Sequence, residues 1–355
     1  MQKFFERYPL TDEIVAAGVS GGADSLALVL RLKEIGRKVV ALSVDHGLRA
    51  ESRAEAEYVA RLMNEAGIEH HILTWQGEKP IAAIEAEARE ARYQLLTDWC
   101  KEHKVKYLAV GHHRRDQAET FLLRLQRGSG LYGLSGMLPI SERNGIMVIR
   151  PQLEDDPEDL RNYLRAKGIA WVEDPSNQCL DFQRVKMRKF LPELERQIGI
   201  SEARLANTAK ILARSREYIE SVVTNCIDNK VRCYGRHIFS FADGWLARLH
   251  EEIAYRVLAE LLCRCADLDY APEAEEILHL LAEMKKSFRG ATLGGCEIFV
   301  AQKRIWIVPE LRSTEVMSKA EWDECLQFLP QYANSGLPYK VRRALCFEYK
   351  KVANG

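Results

Sequence analysis

The chain has 355 residues, of which 47% are hydrophobic and 29% are charged, so gross disorder and fibrous folds are excluded. Its 51 Lys and Arg residues balance 51 Asp and Glu residues. The net charge of zero excludes a globally basic nucleic-acid binder but is compatible with a local basic surface. None of the nine cysteines forms a CxxC pair, and no apolar run reaches the ~18 residues of a membrane helix. We therefore expect a cytoplasmic protein of two or three domains, with reduced thiols and no membrane contact.

From residue 14 to about residue 153, short apolar runs alternate with longer runs at helical spacing. The pattern predicts strands at residues 14–19, 39–44, 69–73, 105–110 and 145–149. It predicts helices at residues 24–35, 50–66, 81–103 and 116–127. Because the strands are apolar throughout and alternate with helices, we predict an α/β fold with a mostly parallel, doubly wound sheet.

A second region follows, beginning near Arg184 or just after Pro192. Residues 201–232 and 244–286 show helical spacing, and residues 296–308 read as two short strands around Gln302-Lys303. We therefore predict a mainly helical domain with a small hairpin. Residues 312–355 are weakly patterned, and the sequence predicts no fold for them.

The most informative segment is Ser20-Gly21-Gly22-Ala23-Asp24-Ser25, between the first predicted strand and the first predicted helix. Adjacent glycines let backbone N–H groups approach an anion closely, and the start of a helix adds partial positive charge. The serine hydroxyls can donate to phosphate, and Asp24 can cap the helix or hold a Mg²⁺ ion that bridges phosphates. The alternative is a plain strand-to-helix turn. The order of strand, glycine pair, Asp and helix favours a phosphate-binding loop, although no Walker GK[ST] follows.

Further segments narrow the interpretation through their order along the chain. They are Asp45-His46-Gly47, Ala88-Arg89-Glu90-Ala91-Arg92-Tyr93, Gly111-His112-His113-Arg114-Arg115-Asp116-Gln117, Arg127-Gly128-Ser129-Gly130, Asp174-Pro175-Ser176-Asn177 and Arg184-Val185-Lys186-Met187-Arg188. The SGGADS loop looks like that of the N-type ATP pyrophosphatases, or PP-loop enzymes. Because the loop and the other segments occur in this order, the chain resembles the tRNA(Ile)-lysidine synthetases over roughly residues 14–195.

The resemblance implies an adenine-nucleotide alpha-hydrolase-like fold and a defined reaction. ATP adenylates the C2 oxygen of the wobble cytidine in the isoleucine tRNA with a CAU anticodon, and pyrophosphate leaves. The ε-amine of free L-lysine then attacks C2, AMP leaves, and the base becomes lysidine. The implied cofactors are ATP and Mg²⁺, and a homodimer is left open. The implied domains are a catalytic domain at residues 1–195, a tRNA-binding domain at 196–311 and an extension at 312–355.

The resemblance also suggests roles for individual residues. We expect Asp24 and Asp116 to share Mg²⁺, and His113 and Arg89 to be catalytic with them. The residues expected to bind ATP are Ser20, Gly21, Gly22, Ala23, Asp24, Ser25, Asp45, His46, Gly111 and Arg92. Those expected to bind tRNA phosphates are Arg127, Arg184, Lys186, Arg188 and Lys189.

Several of these assignments have alternatives. Asp116 could be an N-cap, and one of the paired histidines could be purely structural. Arg89 and Arg92 could belong to a solvated helix with salt bridges to neighbouring glutamates. Asp45 could bind the adenosine ribose or the lysine amine. Arg127 could lie in a flexible linker, and the basic window from 184 to 189 could be a solvated face.

Two positions depart from the family pattern. Arg115 stands where a second Asp is common, and Lys186 stands where Arg is usual, which loses the bidentate fork. Arg115 keeps open a nucleotide-binding regulatory protein with a degenerate site. Another PP-loop tRNA enzyme, such as a thiolase, is disfavoured by the lack of CxxC pairs.

Overall fold

The computed structural model describes residues 1–12, 14–45, 47, 51–75, 84–173, 183–286, 288–311, 316–333 and 335–353. The chain divides into two compact units, Met1–Arg216 and Glu217–Gly355. In the described part of the chain, no helix is both long enough and apolar enough to cross a bilayer.

The first unit is built on a six-stranded sheet with the order β3-β2-β1-β4-β6-β5. Its strands are β1 (Ile14–Gly18), β2 (Lys38–Asp45), β3 (Glu69–Thr74), β4 (Tyr107–Ala109), β5 (Ile140–Arg143) and β6 (Ile146–Ile149). All neighbours pair in parallel except β5 and β6, which form an antiparallel hairpin. The predicted, mostly parallel sheet is therefore confirmed.

Helices cover both faces of this sheet. The helices up to residue 198 are α1 (Gln2–Arg7), α2 (Ala23–Glu34), α3 (Glu51–Glu65), α4 (Ile84–Glu102), α5 (Arg114–Gln126), α6 (Leu131–Leu134), α7 (Pro157–Ala166) and α8 (Gln183–Ile198), of which α8 packs against α5 in a separate core. Val15 and Ala17 of β1 pack in one core with α2, α3 and α7. Ala16, between them, packs in a separate core with α4 on the opposite face. Side chains alternate across a strand, so a central strand covered on both sides is apolar at every position.

The second unit holds an antiparallel sheet with the order β7-β8-β11-β10-β9. The boundary between the units falls within α9 (Glu202–Lys230). The remaining elements are β7 (Arg232–Tyr234), β8 (Ile238–Ala242), α10 (Glu251–Ala266), α11 (Ala274–Met284), β9 (Gly290–Leu293), β10 (Cys296–Ala301), β11 (Arg304–Pro309), α12 (Lys319–Phe328) and α13 (Tyr339–Ala353). Helices α10 and α11 share one core with this sheet, and α12 and α13 share another. The predicted hairpin around Gln302-Lys303 is β10–β11, and both turn residues have positive φ, +55° and +59°.

Candidate active site

The loop between β1 and α2 is held by its own serines. Gly21 has a φ of +80°, a conformation that glycine adopts at little cost. The Ser25 hydroxyl donates to the Gly22 carbonyl at 3.0 Å, and the Ser20 backbone N–H donates to Ser25 Oγ at 3.1 Å. The first turn of α2 therefore presents its backbone N–H groups from a fixed loop, which is the arrangement that binds anions.

Gly111 brings the end of β4 directly against this loop. Strand β4 pairs with β1, with Ala109 opposite Ala17. A Cβ on Gly111 would lie 3.1 Å from Asp24 O and from Ser25 N, closer than most real side chains approach backbone atoms. The glycine therefore permits close contact between two backbone segments, and it places the residues after β4 beside Asp24.

His113 connects the two carboxylates predicted to be catalytic. Its Nε2 lies 3.4 Å from Asp24 Oδ2, and its Nδ1 lies 3.4 Å from Asp116 Oδ2. His113 is the N-cap of α5, and its N–H donates to Asp116 Oδ2 at 2.9 Å in a capping box. Asp116 is therefore the third helical residue rather than the cap, and it serves the helix and the site together.

The charge state of His113 depends on these neighbours. Burial lowers its pKa, but the nearby carboxylates of Asp116 and Asp24 more than offset burial, so its pKa lies above the ordinary histidine value. The side chains of Asp24 and Asp116 each lie within 3.4 Å of the same imidazole, so the cluster brings two acidic groups close together and favours a cation beside them.

The carboxylates of Asp24 and Asp116 could hold a magnesium ion whose other ligands are phosphate oxygens and water. Asp24 Oδ1 is buried and has no hydrogen-bond partner in the described structure. Asp116 Oδ1 lies 3.8 Å from Arg184 Nη1, so it is only loosely paired. Within the described ranges, no group of three or more His, Cys, Asp and Glu side chains could hold a metal by itself. Mg²⁺ is commonly bound by one or two carboxylates together with phosphates and waters, which suits this pair.

Arg89 and Arg92 lie on α4 at the same edge of the sheet. Arg89 is exposed, with its guanidinium 5.3 Å from the centre of the Tyr93 ring. A Cβ on Gly18 would lie 3.7 Å from Arg92 Nη2, so the Arg92 guanidinium reaches the end of β1 beside the loop. Glu90, which the solvated-helix alternative would pair with them, binds Arg143 instead.

The cations of the basic helix α8 lie in two different environments, since some contact carboxylates of α5 and others are exposed to solvent. Arg184 faces Asp116, and Arg188 Nε donates to Glu119 Oε1 at 2.7 Å. Lys186 and Lys189 are exposed, as is Arg127 at the C-terminal end of α5. The five predicted tRNA-binding residues are therefore not one stripe, since two of them face carboxylates of α5.

Arg115, one of the two departures from the family pattern, pairs with a residue other than the carboxylates predicted to be catalytic. Its Nε donates to Glu202 Oε1 at 2.7 Å, at the start of α9. Both side chains are partly buried, with 29% and 22% exposure. The cation thus joins α5 to the start of α9 and takes no part in the contacts among Asp24, His113 and Asp116.

We expect Arg115→Ala to lower the free energy of unfolding by about 1 kcal/mol and to leave the rate of the reaction implied by the resemblance unchanged. Arg115→Asp should cost more, about 2 kcal/mol, because it sets a like charge against Glu202. Urea unfolding measures both effects. The charge-reversed pair Arg115→Asp with Glu202→Arg is the control and should recover stability. A faster reaction in Arg115→Asp would instead show that the wild-type site lacks a carboxylate.

The structure says less about the remaining predicted site positions. Asp45 is buried at the end of β2, and its Oδ1 accepts a hydrogen bond from Gly47 N at 2.9 Å. His46 lies outside the described residues, as does the Asp174-Pro175-Ser176-Asn177 segment.

Sequence reasoning missed Glu119 and Arg150. Glu119 is fully buried one turn after Asp116, and burial raises its pKa above the ordinary value despite the Arg188 guanidinium. Arg150 directly follows β6, and its Nη1 donates to Leu138 O at 2.8 Å. The available signals were an acidic pair at helical spacing and a charged residue at the end of an apolar strand.

Comparisons with known proteins identify the family of the chain. A family model for a PP-loop domain matches residues 1–194. The chain is 36% identical over 318 residues to a tRNA(Ile)-lysidine synthase of Ruegeria pomeroyi, covering 87% of this chain and 75% of the relative. It is 39% identical over 316 residues to a tRNA(Ile)-lysidine synthase of Hyphomonas neptunium, covering 85% of this chain and 83% of the relative.

The chain belongs to the tRNA(Ile)-lysidine synthase family. The resemblance found in the motifs is thereby confirmed, and the chain is an enzyme of this type with an ATP-binding PP-loop domain. Among solved structures, a U34-tRNA thiolase from Methanococcus maripaludis has 20% identity and a TM-score of 0.52, covering 60% of this chain and 78% of its own. At this identity the likeness shows only that the two chains share a fold.

Proposed function

We propose that this protein ligates free L-lysine to C2 of the wobble cytidine of tRNA(Ile) with a CAU anticodon. ATP is cleaved to AMP and pyrophosphate, and lysidine is the product. The observation that carries this proposal is the Asp24–His113–Asp116 cluster, which lies directly against the phosphate loop in a chain of the lysidine synthase family.

In the first step, the C2 oxygen of cytidine attacks the α-phosphorus of ATP. The new O–P bond forms as the bond between the α-phosphorus and the bridging oxygen to the β-phosphate breaks. Negative charge builds on the phosphoryl oxygens, so preorganised donors and cations lower the barrier. The backbone N–H groups of the loop bind these oxygens, and Arg92 lies beside the loop. Asp24 and Asp116 would hold Mg²⁺, which when bound neutralises phosphate charge.

In the second step, the ε-amine of lysine attacks C2, and the C2–O bond breaks as AMP departs. Lysine arrives as an ammonium ion, and hydrogen bonds from it to the carboxylate oxygens of Asp24 and Asp116 aim the nitrogen at C2. The ammonium must lose a proton before its nitrogen can attack, and one of these carboxylates can accept that proton. A second proton passes from the nitrogen to solvent as AMP departs. His113 keeps the two carboxylates in place by contacting both.

The test is nucleoside mass analysis of an isoleucine tRNA transcript incubated with the protein, ATP, Mg²⁺ and lysine. We expect one cytidine per transcript to gain the mass of lysine less one water. The control transcript carries uridine at the wobble position and should stay unmodified. Incorporation without ATP, or ATP cleavage without any modified nucleoside, would contradict the proposal.

The exposed cations Arg127, Lys186 and Lys189 are proposed to bind tRNA phosphates. Their triple replacement by Ala should weaken tRNA binding and flatten the dependence of log Kd on log salt by about 1 for each phosphate that is no longer neutralised. Filter binding across a salt series measures the slope. A double Ala variant of Lys3 and Lys101, exposed lysines outside α5 and α8, is the control. An unchanged slope in the triple variant would mean that this face is merely solvated.

A further inference from the structure

The turn between β6 and α7 contacts the starts of both helices that carry the carboxylates predicted to be catalytic. In this β6–α7 turn, residues 150–156, the side-chain Nε2 of Gln152 donates a hydrogen bond to the backbone oxygen of Asp24 at 3.0 Å. Asp24 is the second residue of α2. The backbone oxygen of Asp155 accepts a hydrogen bond at 3.0 Å from the N–H of Arg114, the first residue of α5. One short segment therefore holds α2 and α5 at the ends where the two carboxylates lie.

The β6–α7 turn has hydrogen bonds of its own that keep its two contacts in register. The N–H of Asp155 donates to Gln152 O at 2.8 Å. The Arg114 side chain also binds Asp156, which is the N-cap of α7. The contacts to α2 and α5 thus start from two residues that are directly bonded to each other. The separation of the two helix starts is therefore set by the geometry of this turn.

The side-chain amide of Gln152 is held from both ends. Gln152 is 0% exposed, and its Oε1 accepts a hydrogen bond from Arg31 Nη1 at 3.2 Å. The same Nη1 donates to Asp155 Oδ2 at 2.5 Å. Because the amide oxygen faces a guanidinium, the amide nitrogen faces the opposite way, toward Asp24 O. A carbonyl oxygen has two lone pairs, so Asp24 O can accept this bond in addition to one from its helix.

An amide at this buried position does more than fill space. Burying an amide is unfavourable unless it is hydrogen-bonded, and an apolar side chain of the same length would fill the volume without that requirement. What the amide adds is direction, since a hydrogen bond constrains both the distance and the angle between its partners. In Gln152 that directional contact is made to Asp24, whose carboxylate lies 3.4 Å from His113.

The separation of the two carboxylates matters for the ion they would hold. Mg²⁺ requires near-octahedral oxygen ligands at about 2.0–2.1 Å, whereas Ca²⁺ accepts oxygens at about 2.3–2.6 Å in flexible arrangements. A small displacement of one carboxylate should therefore weaken the binding of Mg²⁺ more than that of Ca²⁺.

We propose that Gln152 is a positioning residue that sets the separation between the carboxylates of Asp24 and Asp116. It acts through the backbone of Asp24, while Asp155 of the same turn holds the start of α5. The use of the two carboxylates for Mg²⁺ and for the lysine amine rests on the proposed function, but their separation does not.

The test measures the binding of Mn²⁺, a paramagnetic substitute for Mg²⁺, to the protein without nucleotide, tRNA or lysine. Gln152→Met keeps the length of the side chain and removes both of its hydrogen bonds. We expect the Mn²⁺ affinity, measured by electron paramagnetic resonance, to fall about 10-fold, a usual effect of losing a group that orients a metal ligand. Competition should show a larger loss of affinity for Mg²⁺ than for Ca²⁺. Asp24→Asn should abolish the same signal, which locates it at this pair.

Thr97→Val is the matched control for a general loss of buried hydrogen bonds. Thr97 is also 0% exposed, and its hydroxyl donates to Tyr93 O at 2.9 Å within α4. The control should lower the melting temperature, as Gln152→Met does, and leave the Mn²⁺ affinity unchanged. An equal loss of affinity in both variants, or no loss in Gln152→Met, overturns the proposal.

Crystal structures of the wild-type and Gln152→Met proteins give a readout that needs no ion, and they decide if Mn²⁺ does not bind without phosphate. The distance from Asp24 Oδ2 to His113 Nε2 is 3.4 Å in the wild type. It should lengthen in the variant by about 0.5 Å or more, and an unchanged distance overturns the proposal. Arg31→Met, which removes the partner of Gln152 Oε1, repeats both measurements if Gln152→Met does not fold. Absence of lysidine formation with normal Mn²⁺ binding would count against the proposed function and not against the role of Gln152.

Discussion

Asp24→Asn and Asp116→Asn are each expected to lower the rate of lysidine formation by about 100- to 1000-fold, the usual effect of removing one group that stabilises a charged transition state. The amide keeps the size of the carboxylate but removes its charge and one of its acceptor oxygens, so it binds both Mg²⁺ and the lysine ammonium less tightly. In Asp116→Asn the side-chain oxygen can still accept from His113 N–H, so α5 keeps its capping hydrogen bond. Incorporation of labelled lysine into the transcript measures the rate.

Asp159→Asn is the matched control for both variants. Asp159 also lies in the first turn of a helix, α7, and is exposed. It should keep the wild-type rate, and all three variants should keep the wild-type circular dichroism spectrum. Near wild-type lysine incorporation by Asp24→Asn or Asp116→Asn would remove that residue from the chemistry.

Arg188→Met is expected to lower the free energy of unfolding by about 3 kcal/mol. Glu119 is 0% exposed, and its bond to Arg188 is the ion pair that balances its charge. Removing the cation leaves a buried carboxylate without a partner, which is the costly way to break such a pair. This loss should lie at the lower end of the range usual for breaking a buried ion pair, because the Arg188 side chain is 34% exposed. Urea denaturation measures the loss.

Two further variants separate this effect from a general loss of packing. Arg196→Met breaks an exposed pair with Glu193 on the same helix and should cost less than about 1 kcal/mol. Adding Glu119→Leu to Arg188→Met removes the unpaired charge and should recover much of the stability. No recovery in the double variant would mean that Arg188 acts through packing alone.

The pH dependence of Arg188→Met has a definite sign. Burial already raises the pKa of Glu119 in the wild-type protein, and loss of the cation raises it further. The folded state then binds a proton more tightly than the unfolded state. Stability of the variant relative to wild type should therefore improve as the pH falls and decline as the pH rises through the folded-state pKa of Glu119.

The phosphate loop and the central strands were predictable because their signals are local. A strand covered on both faces must be apolar at each position, and β1 shows this in Val15, Ala16 and Ala17. A turn that needs positive φ selects glycine, as at Gly21. The β5–β6 hairpin was missed although its Asn144-Gly145 turn, with φ of +51° and +75°, carries a strong hairpin signal.

The partners of the charged side chains were not predictable in the same way. Helical spacing places Arg184 and Arg188 on one face of α8 and does not say whether that face meets solvent or carboxylates. The structure sets them against Asp116 and Glu119, which are distant in sequence. Likewise, the sequence shows that Arg115 departs from the family pattern but not what the side chain contacts. Its ion pair with Glu202 is visible only in the structure.

The sequence by itself determined the α/β class, the position of the phosphate loop and the membership of a tRNA-modifying family, because periodicity and motif order are properties of neighbouring residues. Only the tertiary structure decided that one imidazole joins Asp24 to Asp116 and that His112 faces arginines while His113 faces carboxylates. Electrostatic roles depend on distance and burial, and both are set by strands and helices that come together from separate parts of the chain. The net charge of zero therefore conceals an acidic and a basic part within one edge of the sheet.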